Sequence, residues 1–214
     1  MTAEVRGGAV RAGGVGTAEV RPVLTDRLIG AILTVGGLVG ALAAFVLMVE
    51  KVALLKDPSY TPSCSINPIL SCGSVMTTAQ AEVFGFPNPL IGVAAFPVVA
   101  ATGVALLAGV RLPPWWFRAV QAGALFGVAL VHWLFYQSLY RIGALCPYCM
   151  VVWVVMILIF CYLTLFNAER GYLPAPRRPT RLLLMVHSTV PLVWLLILTG
   201  LIGVRFWDYW STLL

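Results

Sequence analysis

Charge is what this 214-residue chain has least of: charged residues make up 10% of it, against roughly 25% in soluble domains. A chain that poor in charge cannot cover an ordinary soluble domain. The first 22 residues hold no apolar stretch long enough for a signal-peptide core. Little polar chain remains anywhere for a soluble catalytic domain. What is abundant is apolar sequence, with 60% hydrophobic residues and a mean hydropathy of +0.94. Five apolar runs, at about 28–49, 90–110, 120–140, 149–166 and 182–204, come near the roughly 20 residues that a helix needs to cross a ~30 Å hydrocarbon core. The expected fold class is an all-α membrane protein with five transmembrane helices. Residues 1–22, rich in Gly, Ala and Val, read as a disordered cytoplasmic tail, and 23–214 as one transmembrane domain.

A net charge of +6 would fit nucleic acid if the basic residues shared one face, but they gather at the ends of the apolar runs, so no nucleic-acid partner is expected. Arg6, Arg11, Arg21 and Arg27 precede the first run, Arg111 and Arg118 lie between the second and third, and Arg170, Arg177, Arg178 and Arg181 between the fourth and fifth. Only Lys51, Lys56, Arg141 and Arg205 fall on the other side. That excess places the N-terminus in the cytoplasm and the C-terminus outside a multi-pass inner (plasma) membrane protein. The longest connection, 50–89, is then extracytoplasmic and too long for a plain hairpin. Within it 74–83 reads as a short helix capped by Ser74, and Asn88-Pro89 as the cap and first-turn proline of the next membrane helix.

Four of the five cysteines lie outside the helix interiors, all on that outer side, where disulfides persist. Cys146-Pro147-Tyr148-Cys149 is a C-x-x-C at the entrance of the fourth run, where unpaired backbone N–H groups and the helix dipole stabilise a thiolate. Cys64 and Cys72 lie in the outer loop. Two pairs on one face suggest a relay. A zinc site would want a second C-x-x-C, which the Cys64/Cys72 spacing does not provide, so no metal is expected. The non-enzymatic alternative is a structural membrane subunit braced by inert disulfides. Against it, a C-x-x-C closes too small a loop to constrain the unfolded chain, and its usual use is redox exchange. A reductant exporter would need thiols reachable from both sides, and Cys161, the one deep thiol, has no mate.

The stretches Cys64-Ser65-Ile66-Asn67-Pro68-Ile69-Leu70-Ser71-Cys72-Gly73-Ser74-Val75-Met76, Phe86-Pro87-Asn88-Pro89-Leu90-Ile91-Gly92 and Arg141-Ile142-Gly143-Ala144-Leu145-Cys146-Pro147-Tyr148-Cys149 resemble the bacterial vitamin K epoxide reductase family. The resemblance implies a four-helix bundle around a quinone, either menaquinone or ubiquinone, with a peripheral fifth helix. It implies a thiol oxidoreductase that reoxidises an extracytoplasmic DsbA-type disulfide carrier, in support of disulfide bond formation. In that scheme Cys64 exchanges with the carrier, Cys72 passes the bridge from Cys146, and Cys149 faces the quinone. Thr78 matches a family Ser/Thr on the short loop helix, and Asn88 an asparagine that hydrogen-bonds a quinone carbonyl. Animal members carry a tyrosine four residues after the C-x-x-C, where this sequence has Trp153, whose indole is also a donor. Many bacterial members continue into a thioredoxin-like domain; this sequence stops at Leu214, so the carrier is expected as a separate protein.

Four further residues follow from position alone. His132, within the third run, is a functional candidate because ionisable groups are costly inside a membrane; the competing reading is a hydrogen-bonded core histidine. Gly92, Gly103 and Gly127 read as positions where small residues let helices approach.

Overall fold

The computed structural model describes residues 23–212; the tail assigned to 1–22 lies outside the described residues. All named elements are helical. The first helix, α1, spans Asp26–Lys56 and starts on Thr25, whose hydroxyl accepts from the Leu28 N–H, with Asp26 at the positive end of the dipole. At about 1.5 Å per residue, its 31 residues are longer than a ~30 Å hydrocarbon core. The outer loop therefore begins at 57 rather than 50. The last two turns of α1 carry Glu50 and Lys51 beyond the apolar run, and both are buried.

Within the loop, α2 (Cys72–Met76) begins at Cys72 and its cap is Ser71, whose hydroxyl accepts from Ser74 N–H. The expected helix over 74–83 capped by Ser74 is replaced by this five-residue helix and a separate 3-10 turn, Ala79–Glu82. Asn88 also departs from expectation. It precedes α3 (Pro89–Leu107) in helical backbone geometry, and its side chain caps nothing in that helix.

The chain continues through α4 (Pro114–Gln137), a π turn at Ser138–Ile142 and a reversal at Gly143 (φ 74°), into α5 (Pro147–Glu169). These give four spans long and apolar enough to cross a membrane, or five if the last pair counts as one. That pair, α6 (Arg177–Met185) and α7 (Thr189–Arg205), is bent by 71°, where the sequence reading had one continuous run at 182–204. Pro191, in the first turn of α7, explains the break: its ring would clash with the His187 carbonyl of a continued helix, whereas the first turn tolerates it. The chain ends in a single turn, α8 (Trp207–Trp210).

α1 packs on α3 and α5, α4 on α5, and α7 on α5. The α1–α3 contact is close because glycines form it. A Cβ on Gly37 would stand 2.5 Å from the Ala100 nitrogen, and one on Gly103 would run into the Thr34 backbone. Together α1, α3, α4 and α5 line an elongated cavity of about 470 Å³, walled almost wholly by apolar side chains.

Candidate active site

The cysteine end of this cavity is built by short-range stitching. Asn67 makes a turn by accepting from the N–H groups of Ile69 and Leu70. The next residues pair with the segment before the C-x-x-C: Ser71 N–H donates to Leu145 O (2.9 Å) and Leu145 N–H to Ile69 O (2.7 Å). Gly73 N–H donates to the Ser65 hydroxyl, drawing the two sides of the loop together. This register sets Cys72 against Cys146 although the two are 74 residues apart.

Cys64 and Cys72 are joined as a disulfide, while Cys146 and Cys149 are free thiols. The sulfurs of Cys72 and Cys146 are 3.2 Å apart. Cys64, Cys72 and Cys146 share one apolar cluster with Leu47 and Met76, against which Cys149 packs. Cys146 immediately precedes α5, and its thiol is held below the ordinary thiol range. The Cys149 side chain hydrogen-bonds it and the backbone N–H groups of Cys149 and Tyr148 point at it, outweighing the opposing effect of burial. The structure therefore brings the four sequence-predicted cysteines together, with an oxidised pair in contact with a reduced one. Cys161 is buried far down α5 and apart from them.

Of the residues proposed to hold a quinone, Asn88, Thr78 and Trp153 line the cavity together with Cys146 and Cys149. The Asn88 amide donates to Gln80 O (2.8 Å) and accepts from Val83 N–H (3.2 Å), closing the loop on itself. One of its two N–H groups remains for another acceptor. Thr78 donates its hydroxyl to Val75 O (2.7 Å). Trp153 is 4% exposed and stands edge-on to Phe135. These donors, in an otherwise apolar pocket between membrane helices, fit a lipophilic ring bearing carbonyls.

His132 is placed elsewhere. It does not line the cavity; its Nδ1 bonds Val128 O (2.7 Å) and its Nε2 accepts from the Trp194 indole of α7 (2.9 Å). Both ring nitrogens are thus hydrogen-bonded, and the ring joins α4 to α7. Among the described residues no group of three or more His, Cys, Asp or Glu is arranged to hold a metal ion.

Glu50, Lys51 and Glu82 fall within the loop expected at 50–89, and the sequence reading gives them no role in the site. Lys51 in fact lines the cavity, and Glu50 accepts from the hydroxyls of Ser63 and Tyr60. The available signal was periodicity: Leu47, Lys51 and Leu54 continue the helical stripe of α1 past the end of its apolar run.

A helical membrane protein in which a disulfide touches the first cysteine of a C-x-x-C beside an apolar cavity is built for thiol–disulfide exchange. The model described as the vitamin K epoxide reductase family matches residues 31–164, more than half of the chain. The chain belongs to the vitamin K epoxide reductase family, and is an oxidoreductase on that ground. No curated protein matches it at a significant level.

Proposed function

We propose that the protein reoxidises an extracytoplasmic thioredoxin-fold carrier of DsbA type and passes the electrons to a membrane quinone, menaquinone or ubiquinone, in support of disulfide bond formation. The observation that carries this reading is the 3.2 Å contact between the sulfurs of Cys72 and Cys146 on the wall of the apolar cavity. A carrier thiolate attacks Cys64 and releases the Cys72 thiolate. Cys72 attacks Cys146 of an oxidised C-x-x-C, so that a Cys72–Cys146 bond forms and Cys149 leaves as thiolate. The second carrier thiol then frees Cys64, which displaces Cys146 from Cys72 and restores the Cys64–Cys72 bridge. The C-x-x-C is left as a dithiol, which is its state in the structure. A bound quinone supplies an acceptor for two electrons and two protons. The dithiol provides both as its bridge re-forms, so carrier dithiol and quinone become carrier disulfide and quinol.

Each residue has a defined share in this scheme. Cys149 would face a bound quinone, and Asn88 and Trp153 would hold its carbonyl oxygens by donation; reduction puts negative charge on those oxygens, so such donors would favour it. Thr78 forms part of the pocket wall. Cys64 is 5% exposed, so the carrier gains access only when the loop opens. By the distribution of basic residues, the cysteine end is extracytoplasmic and the N-terminus cytoplasmic, in the inner membrane.

The test is purified protein in nanodiscs with quinone and a reduced DsbA-type carrier. Carrier oxidation should require quinone and fall to background on Cys149→Ala, with the helical signal unchanged. Carrier oxidation that continues without Cys149 would overturn the scheme.

A further inference from the structure

We propose that Lys51 is a positioning residue for the internal disulfide exchange, holding the helix that carries Cys72 in place while the Cys64–Cys72 bridge is open. The inference rests on the exchange sequence above and extends it to a residue with no thiol.

Lys51 sits in the extension of α1 beyond its apolar run, and only 7% of it is exposed. A cation that deeply placed needs partners. It has two: the ammonium donates to Met76 O at 2.7 Å and pairs with Glu82 Oε1 at 2.8 Å. Met76 is the last residue of α2, and Cys72 is its first. A five-residue helix has almost no intrinsic stability, so its place depends on what grips its ends. The N-terminal end is gripped by the Cys64 bridge and by Ser71 N–H on Leu145 O. The C-terminal end is gripped by Lys51. Glu82 ends the 3-10 turn Ala79–Glu82, and the turn's Gln80 carbonyl accepts from Asn88. Lys51 thus binds α2 and the cavity wall to one rigid helix.

The consequence appears during turnover. When the carrier opens the Cys64–Cys72 bond, α2 loses its covalent grip at the moment when the Cys72 thiolate must reach Cys146. In that step the Cys72–Cys146 bond forms, the Cys146–Cys149 bond breaks, and the electron pair stays on Cys149. Lys51 takes no part in the bond changes. It sets how often Cys72 stands within reach.

The experiment removes Cys64 and Cys149 together, leaving Cys72 and Cys146 to pair alone, and measures their effective concentration against glutathione in a redox buffer. This readout needs neither carrier nor quinone, so a failure of the quinone scheme leaves it standing. In that background Lys51→Met should lower the effective concentration about tenfold, the scale of losing a hydrogen bond from a charged donor, and Lys51→Arg should restore most of it. In the otherwise intact protein Lys51→Met should also lower kcat with the carrier. An unchanged effective concentration in folded Lys51→Met overturns the proposal. Should Lys51→Met not fold, Glu82→Gln carries the test, because it frees the ammonium from the turn while changing only a partly exposed side chain. A severalfold fall supports the proposal and no change overturns it.

Discussion

The seam between α1 and α3 and the seat of α7 on the bundle hold helices together in different ways. On the seam, glycines bring backbones together: Gly37 lies against Ala100 and Gly103 against Thr34, with no room for a Cβ. On α7, Gly200 and Gly203 have nothing within 4 Å of where a Cβ would stand, and Pro191 and Leu198 are the buried residues. Besides packing Leu198, Leu195 and Ile202 on the core, α7 is fastened by two hydrogen bonds, the Trp194 indole on His132 and the Arg205 guanidinium on Leu139 O (3.0 Å). In lipid no hydrophobic drive favours one helix pair over another, so close packing and a few hydrogen bonds must do so. The site uses the packed seam. Lys51 extends α1 and Asn88 immediately precedes α3, so both clasps on the cysteine loop are rooted at the ends of the two helices that form this seam.

The largest expected effect comes from reversing that difference. Gly37→Leu forces a side chain into backbone that cannot yield and should destabilise the protein by about 3 kcal/mol or more, since overpacking typically costs ~1–3 even where neighbours adjust. Gly200→Leu should change stability by no more than about 0.5 kcal/mol. Thermal unfolding in detergent, followed by helical circular dichroism, checks both. Equal losses would make α7 a fifth member of the packed bundle.

Asn88 sharpens the comparison at the loop. Asn88→Ala removes its bonds to Gln80 O and Val83 N–H and should cost about 1–3 kcal/mol. Asn88→Asp keeps an acceptor for Val83, loses the donor to Gln80, and places an anion beside the developing charge of the quinone. We expect it to be the more stable of the two and yet to turn over more slowly, measured as quinone-dependent carrier oxidation. An Asp variant with parental turnover would leave Asn88 as a loop clasp alone.

A smaller effect is expected from pH. The Cys146 thiol is held below its ordinary range, chiefly by the Cys149 side chain. A group whose folded pKa is depressed contributes stability that is fully present above the unfolded value and is lost as pH falls through the folded one. Reduced protein should therefore gain in melting temperature relative to Cys146→Ser as pH rises toward ~8.5, the ordinary thiol value. Cys149→Ala, which removes the largest cause, should shrink that gain. A flat difference across this range would remove Cys149 as the partner that activates Cys146.

Much of this was legible in sequence, for reasons that also explain what was not. The membrane spans follow from apolar length, and the cysteine pairs from type and spacing on one face. The end of α1 was misplaced because hydropathy reports where lipid ends and not where the helix ends; Glu50 and Lys51 are helical because the loop supplies their partners. The start of α2 was placed at Ser74 because Ser71 and Ser74 are equally good caps, and only the pairing of Ser71 with Leu145 decides between them. The Lys51–Glu82 pair joins residues 31 apart across the outer loop, and no local pattern announces such a contact.

The smallest predicted effect concerns His132, which rarity inside a membrane marked for function and which the structure places on the seat of α7. Its Nδ1 bonds Val128 O within α4 and its Nε2 accepts from Trp194, so both ring nitrogens are engaged and neither is left for a quinone. Interhelical hydrogen bonds in membrane proteins average about 0.6 kcal/mol, because the separated helices find other partners. His132→Ala and Trp194→Phe should each cost on the order of 1 kcal/mol, and the double variant should fall short of their sum by about 0.6 kcal/mol, the coupling that a shared bond leaves in such a cycle. Quinone-dependent turnover should stay within about twofold of the parent in all three, a shift of under half a kcal/mol in the barrier. A His132→Ala protein that keeps its melting temperature but stops reducing quinone would reverse the assignment, and would mean that α7 belongs to the working bundle with α1, α3, α4 and α5.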